Sequence, residues 1–208
     1  MSSRALAGYC LILSPLVILI GSLLNPHGFD NWSDTKGLLA SLGGDPGLTS
    51  VSVLLISVGF ILFAAGFAGI RDEMSDGSSA KYMKIAVIFM IIGVAGTLGE
   101  SGLIAASAGA AAAPEGRGMA TAIALITGAE GVGAMSTSIS FIGFALAGTA
   151  FLIGKNYHMI VGGLITISGI LGIYAASTDY YSNLMAAAFL VWVIMTVVTG
   201  VLTIRSKA

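Results

Sequence analysis

The feature that most constrains this chain is its succession of long apolar segments. The hydrocarbon core of a bilayer is about 30 Å thick, so a helix that rises 1.5 Å per residue needs about 20 apolar residues to cross it. Six segments of the sequence meet this length, at residues 5–24, 48–70, 85–108, 131–153, 159–177 and 184–204. The sequence therefore predicts an all-α fold, a polytopic bundle of about six transmembrane helices that forms one domain over residues 1–208.

The composition agrees with a membrane protein and excludes several other classes. Hydrophobic residues make up 56% of the chain and charged residues only 9%, whereas soluble domains carry about 25% charged residues. The net charge of −1 offers no basic surface for nucleic acid. We therefore expect membrane lipid as the surroundings and no nucleic-acid partner. The single cysteine, Cys10, excludes an internal disulfide and any site that needs several cysteines.

Basic residues predict how the bundle is oriented. Cytoplasmic loops of membrane proteins carry an excess of Lys and Arg. With six spans, only Lys36 and Arg117 fall on the side opposite the termini. The side that holds both termini carries Arg4, Arg71, Lys81, Lys84, Lys155, Arg205 and Lys207. We therefore expect both termini in the cytoplasm, and the simple topology favours a multi-pass protein of a prokaryotic plasma membrane.

The fourth apolar segment is longer than a bilayer requires. Residues 119–153 would extend about 52 Å as one helix. We expect the spanning part to begin near Gly131 and residues 119–130 to lie in the outer interface. A steep tilt of the whole segment is the alternative.

The first external loop, residues 25–47, contains the pattern of a short interfacial helix. Ser33 or Asp34 can cap its N-terminus. Its apolar residues share one face of the helix, as expected for a helix that lies on an apolar surface; they are Leu38, Leu39 and Leu42.

Glycines recur at helix-packing spacing in the third segment, at Gly93, Gly96, Gly99 and Gly102. In lipid, close backbone approach is a main source of helix association, so such stripes mark helix–helix seams. They predict packing within the bundle; docking of a partner subunit, or helix sliding during transport, is the alternative.

Glu100 is the most informative candidate for function. It lies 16 residues past Lys84, about 24 Å from the inner boundary on a straight helix. Gly93 and Gly96 share its face, so the side chain is predicted to point into the bundle. A buried carboxylate is costly unless it is protonated or paired, and such residues are candidate transport or ion-binding sites. The alternative is a protonated Glu that hydrogen-bonds across a helix seam.

Glu130 is the second candidate for transport or ion binding. It lies 25 residues from Lys155, about 37 Å along a straight helix. This distance predicts a position well above Glu100, at the outer mouth of the cavity that Glu100 lines. An interfacial Glu near Arg117 is the alternative.

The histidines give no support for a cofactor. His27 and His158 are predicted on opposite sides of the membrane, so they cannot share a haem or a metal. The remaining candidates for an external metal site are His27, Asp30 and Asp34, and we predict neither metal nor other cofactor. No catalytic motif is present, and four hydroxyl residues of the fourth segment have no predicted base beside them: Ser136, Thr137, Ser138 and Ser140.

In architecture alone, the chain resembles uncharacterised small prokaryotic membrane proteins with six spans, short loops and a longer first external loop. This resemblance implies no functional residue. Three functions stay open. The first, slightly favoured, is an accessory or assembly subunit, with other membrane subunits or further copies of this chain as partners. The second is a small transporter or channel that uses Glu100 as a proton or cation site. The third and least favoured is a membrane enzyme with an external-face site at His27.

Overall fold

The protein is a bundle of helices. A computed structural model describes residues 2–28, 32–155 and 157–205. Over these residues the chain forms seven α-helices, one short 3-10 turn and no strand, which confirms the all-α class. The helices are α1 (Ser3–Leu24), α2 (Thr35–Gly44), α3 (Pro46–Asp72), α4 (Ser78–Ala111), α5 (Met119–Gly154), α6 (Met159–Thr178) and α7 (Asn183–Arg205). All except α2 are long and apolar enough to cross a membrane, so the chain is an integral membrane protein of several spans.

Polar residues at the borders of the apolar segments determine where several helices begin. The side chain of Ser2 accepts a hydrogen bond from the backbone of Ala5 at the start of α1. Asp45 accepts one from the backbone of Leu48, and Pro46 occupies the first turn of α3. Such caps satisfy backbone N–H groups that have no partner inside the helix, and proline loses nothing there because its nitrogen carries no hydrogen.

The six long helices form a closed ring. Each contacts the next in chain order, and α7 returns to contact α1. Neighbours run in opposite directions: Gly8 of α1 lies against Ile204 of α7, while Ile12 lies against Gly200. We call the end where α1 begins and α7 ends the closed end, and the opposite end the cavity end. The prediction that the closed end faces the cytoplasm stays a prediction.

Glycines bring the backbones of neighbouring helices close together. A Cβ atom at Gly148 of α5 would lie 2.6 Å from the backbone nitrogen of Thr166 on α6. A Cβ at Gly59 of α3 would lie 2.9 Å from the carbonyl oxygen of Ser14 on α1. No side chain fits at such distances, so these seams are specific to glycine.

The predicted glycine stripe of α4 divides into two parts. Gly93 and Gly96 lie against Ser140 and Ser136 of α5, so tightly that a Cβ at either position would collide with that helix. At Gly99 a Cβ would have Val132 as its nearest neighbour, at an ordinary 3.8 Å, and at Gly102 it would meet nothing within 4 Å. The stripe therefore packs closely against α5 only around Gly93 and Gly96.

Helices α4 and α5 form a hairpin that extends past the others at the cavity end. They contain 34 and 36 residues, about 51 and 54 Å. Helix α5 is continuous, with no break at Gly131. The short helix α2, capped by Asp34, covers the hairpin, and together they form a second apolar core. Its members include Leu38, Leu39, Leu42, Ile104 and Ile126.

The interior of the closed half is filled with aromatic rings. Phe63, Phe67 and Phe144 are fully buried, and the ring centroids of Phe63 and Phe67 lie 5.0 Å apart. At the closed end, the hydroxyl groups of Tyr157, which precedes α6, and Thr203 of α7 are 2.7 Å apart. The rings of Phe63, Phe67, Phe144 and Phe151 pack against one another, so the closed half has a continuous aromatic core.

Candidate functional site: a cavity with two carboxyl groups

A cavity of about 610 Å³ occupies the axis of the bundle at the cavity end. Residues of α1, α3, α4, α5 and α7 line it, together with described residues between α1 and α2 and in the turn between α6 and α7. Its floor is formed by Phe60, Phe189 and Trp192, which pack on the aromatic core of the closed half. A volume in this range holds a drug-sized molecule.

Glu100 lies in the wall of this cavity, where α4 faces α5. Its carboxyl group rests over Gly133 of α5, so closely that a Cβ atom at that position would collide with it. The absence of a side chain at Gly133 therefore makes the room that the carboxyl group occupies. The position agrees with the predicted orientation of Glu100 toward the inside of the bundle.

A chain of hydroxyl groups reaches Glu100 from the turn between α6 and α7. The hydroxyl of Tyr180 donates a long hydrogen bond of 3.5 Å to Oε1 of Glu100. The hydroxyl oxygens of Tyr180 and Thr137 lie 3.3 Å apart. Because a phenol has one hydrogen and Tyr180 gives it to Glu100, Thr137 must be the donor to Tyr180. Burial, and then the nearby Glu100, raise the pKa of Tyr180, so its phenol stays a neutral donor.

Glu130 lines the same cavity as Glu100. Tyr181 lies near both: burial first, then the charge of Glu130 and that of Glu100, raise the pKa of its phenol. Both carboxyl groups thus line one cavity. The residue spacing predicted that Glu130 lies well above Glu100, at the outer mouth of this cavity, whereas the helix ends place the two residues at similar heights.

The difference arises from where the helices begin and end. The prediction measured height from the nearest basic residues, whereas α4 begins at Ser78 and α5 ends at Gly154. From these ends, Glu100 lies about 33 Å along α4 and Glu130 about 36 Å along α5. The two positions differ in height by less than one helical turn.

The charge of the cavity is one-sided. Among the described residues that line it there are two carboxyl groups and no Lys, Arg or His. Among the described residues, Arg117 and Glu115 of the α4–α5 loop form a salt bridge, which involves neither carboxyl group of the cavity. An ionised carboxylate in a mainly apolar cavity is unfavourable without a counter-charge. The site therefore favours a bound proton or a bound cation.

A water-sized space continues the polar lining toward the aromatic core. It measures about 10 Å³ and lies between Thr97, Thr137, Ser140 and the rings of the floor. The hydroxyl of Ser140 has no hydrogen-bond partner among the described residues. The predicted hydroxyl cluster of α5 thus divides: Ser138 approaches Ser177 of α6 at 3.4 Å, while Thr137 and Ser140 face the axis.

The structure describes two of the three residues considered for an external metal site, His27 and Asp34. Asp34 uses its carboxylate to cap α2 by accepting a hydrogen bond from Gly37. His27 is buried and packs edge-on against Trp32. Its backbone N–H donates a hydrogen bond to Oδ1 of Asn25, whereas its two ring nitrogens have no hydrogen-bond partner among the described residues. Asp30 lies outside the described residues. The described parts of the chain contain no group of three or more metal-binding side chains.

Sequence reasoning missed the two tyrosines and the two tryptophans of the cavity. Tyr180 and Tyr181 lie in a short turn between two spans, a position typical of interfacial anchors. The sequence signal for these tyrosines is that two phenols stand side by side in a turn, while the neighbouring span α5 carries Thr137 as a possible hydrogen-bond partner. Trp32 and Trp192 are the only tryptophans of the chain, and both line the cavity. Their fluorescence is therefore a built-in reporter of what the cavity holds.

Comparisons with protein-family models, with curated proteins and with solved structures found no match to this chain. Its function is therefore inferred from the geometry and charge of the cavity.

Proposed function

We propose that the protein is a membrane carrier that binds a small cation in the cavity and exchanges it for a proton at Glu100. The observation that supports this most is the pair of carboxyl groups, Glu100 and Glu130, in a cavity whose described lining holds no cationic side chain. A buried acidic group of this kind is a default candidate for proton or cation coupling in membrane proteins.

The aromatic filling of the closed half favours a carrier over a channel. A channel needs a continuous path, whereas the cavity ends at Phe60, Phe189 and Trp192. A carrier needs a site that opens to one side at a time, with helices that shift against one another between two states. Seams made of glycine backbone, such as Gly148 against α6, contain few interlocking side chains that would oppose such a shift.

The cavity is also the reason to prefer a carrier over an accessory subunit. A subunit that serves only assembly needs complementary outer surfaces and gains nothing from an internal acidic site. Placing the carboxyl group of Glu100 against Gly133 in a mainly apolar wall costs stability, and a bound proton or cation offsets that cost.

The exchange has a simple electrostatic basis. In the empty cavity Glu100 holds a proton, because the apolar walls disfavour the carboxylate. A cation that enters brings the missing counter-charge, and the proton leaves. Tyr180, kept neutral by its raised pKa, stabilises the carboxylate by donating its hydrogen. Loading of a cation and loading of a proton are therefore mutually exclusive at Glu100.

The test is cation uptake into proteoliposomes that enclose DNA, with ethidium as the fluorescent probe. With an acidic interior and a neutral exterior, outward proton movement drives ethidium inward. We expect native protein to take up ethidium at least about tenfold faster than protein-free liposomes. Glu100→Gln, which cannot release a proton, should reduce uptake to the protein-free rate.

The matched control is Glu115→Gln, which removes an acidic group of the same type from the exposed α4–α5 loop. It should transport like the native protein. Native uptake equal to that of protein-free liposomes, or equal to that of Glu100→Gln, contradicts the proposal.

A further inference from the structure

The ring of helices closes unequally between α1 and α7. At the closed end the two helices touch through small residues: a Cβ at Gly200 would lie 2.7 Å from the carbonyl oxygen of Gly8 and 2.9 Å from Ile12. The seam therefore brings backbone against backbone, and no molecule can pass between the helices there.

Toward the cavity end the same two helices leave a gap. Leu16 and Leu19 of α1 line the cavity, as do Val193 and Val197 of α7. Yet Leu16 and Leu19 are each 49% exposed. Side chains that line an internal cavity and are also half exposed lie at its edge, so the cavity opens sideways between α1 and α7.

The gap lies at the depth of the lipid tails. Leu16 is in the middle of α1, about 20 Å from the first residue of that helix. The lining on both sides of the gap is aliphatic. A lateral opening with these two properties admits hydrocarbon more readily than water.

Polarity increases from the gap to the interior. The aliphatic residues of α1 and α7 lie on one side of the cavity, and the carboxyl groups of Glu100 and Glu130 lie on α4 and α5, across the ring. Between them the floor is aromatic, with Phe189 and Trp192. Aromatic faces attract cations as well as alkyl chains. The lining thus offers an apolar path that ends at an anionic site.

We propose that the ligand is a single-chain amphiphile with a cationic head, which enters from the membrane between α1 and α7. The head group binds beside Glu100 and Glu130, and the alkyl chain lies in the gap between Leu16 and Val197. This inference rests on the proposed function for the role of the carboxyl groups, and it adds the class of the ligand and its route.

Contact quenching of Trp192 tests the ligand and the route together. Trp192 is only 4% exposed and forms part of the cavity floor. The protein would carry Trp32→Phe, so that Trp192 is the single fluorophore, and would be placed in phosphatidylcholine nanodiscs. The probe is dodecyltrimethylammonium with a bromine at the middle of its chain, which quenches tryptophan on contact. The matched probe is dodecyl sulfate with a bromine at the same position.

We expect saturable quenching by the cationic probe, at a concentration at least about tenfold below that needed for the sulfate. Val197→Phe, which fills the gap, should weaken the effect about tenfold. Ile167→Phe is the control, because Ile167 is exposed on α6, away from the gap. Glu100→Gln should remove the preference for the cation.

The outcomes separate this inference from the proposed carrier function. Equal quenching by the two bromine probes shows unspecific partitioning and overturns the inference. If tetramethylammonium, which has no chain, displaces the cationic probe at equal concentration, the chain contributes nothing and the amphiphile assignment fails. In either case ethidium uptake that depends on Glu100 leaves the carrier proposal standing. If the native protein shows no ethidium uptake that depends on Glu100, the carrier proposal is overturned, whatever the bromine probes show.

Discussion

The same helices pack tightly in the closed half of the bundle and surround a cavity in the other half. Helix α5 shows this most clearly, because it passes through both. In the closed half its Gly148 lies against the backbone of α6, and its Phe144 fills the axis. In the cavity half its Gly133 makes room for the carboxyl group of Glu100, and a Cβ atom at its Gly131 would meet nothing within 4 Å. One residue type thus closes a seam, shapes a site or remains open, according to what faces it.

The comparison also separates stability from function. The closed half buries large apolar side chains, which is the dominant source of packing energy within a bundle. The cavity half leaves a void and two carboxyl groups without a counter-charge in the described structure. Such losses of stability are typical of binding sites, and the packing energy of other regions offsets them. We expect substitutions in the closed half to affect folding and those in the cavity half to affect binding.

The largest expected effect is that of Gly148→Ala. The added methyl group would lie 2.6 Å from the backbone of Thr166 and 2.7 Å from the carbonyl oxygen of Gly162. Because backbone atoms cannot move aside as side chains do, the helices must separate, which we expect to cost about 3 kcal/mol. Titration of the protein from mild detergent into sodium dodecyl sulfate, followed by circular dichroism, measures this change in the free energy of unfolding.

The matched control is Gly131→Ala on the same helix. With no neighbour within 4 Å, the methyl group meets nothing, and alanine is the better helix former by about 1 kcal/mol. The variant should be as stable as the native protein or slightly more so. Equal stability of the Gly148 and Gly131 variants would show that the seam between α5 and α6 is looser than described.

A smaller effect, on binding and not on folding, is expected for Gly133→Ala. The methyl group would displace the carboxyl group of Glu100, a flexible group that can turn away at little cost in stability. Displacement weakens its contact with a bound cation, and a charge-assisted contact contributes about 1.5 kcal/mol or more. Binding of ethidium, followed by the fluorescence of Trp32 and Trp192, should weaken about tenfold.

Gly131→Ala again provides the comparison, since it lies two residues away and faces open space. It should bind ethidium with native affinity. If Gly133→Ala also binds with native affinity, the carboxyl group of Glu100 is not the contact that holds the cation. If it unfolds the protein instead, Gly133 belongs to the structural seam and the division between the two halves is less sharp.

The all-α fold could be predicted from the sequence because the bilayer imposes a length. Each apolar segment near 20 residues has one solution, a helix that satisfies its own backbone. The cap at Asp34 and the buried face of Leu38, Leu39 and Leu42 followed from local rules in the same way. Both kinds of inference depend on nearest neighbours in the sequence alone.

The site could be predicted only in part, because its assembly depends on helix ends that the hydropathy pattern does not mark. The first residues of α4, from Ser78 to Lys84, are polar enough to read as a loop. Because the predicted height of Glu100 was measured from Lys84, it came out too low relative to that of Glu130. The contact of Tyr180 with Thr137 and Glu100 joins residues far apart in the chain. No periodicity carries such information, whereas the acidic character of Glu100 and its helix face were readable.

The most direct test of the division between an accessible acidic cavity and a closed aromatic half is thiol modification at two alanines in a Cys10→Ala background. Ala186 of α7 lines the cavity, and Ala150 of α5 is fully buried in the closed half. In nanodiscs, we predict that Ala186→Cys reacts at least about tenfold faster than Ala150→Cys. We also predict that it reacts faster with a cationic methanethiosulfonate than with an anionic one, a preference that Glu100→Gln reduces. Equal rates at the two positions, or no preference for the cationic reagent at Ala186→Cys, would contradict the account.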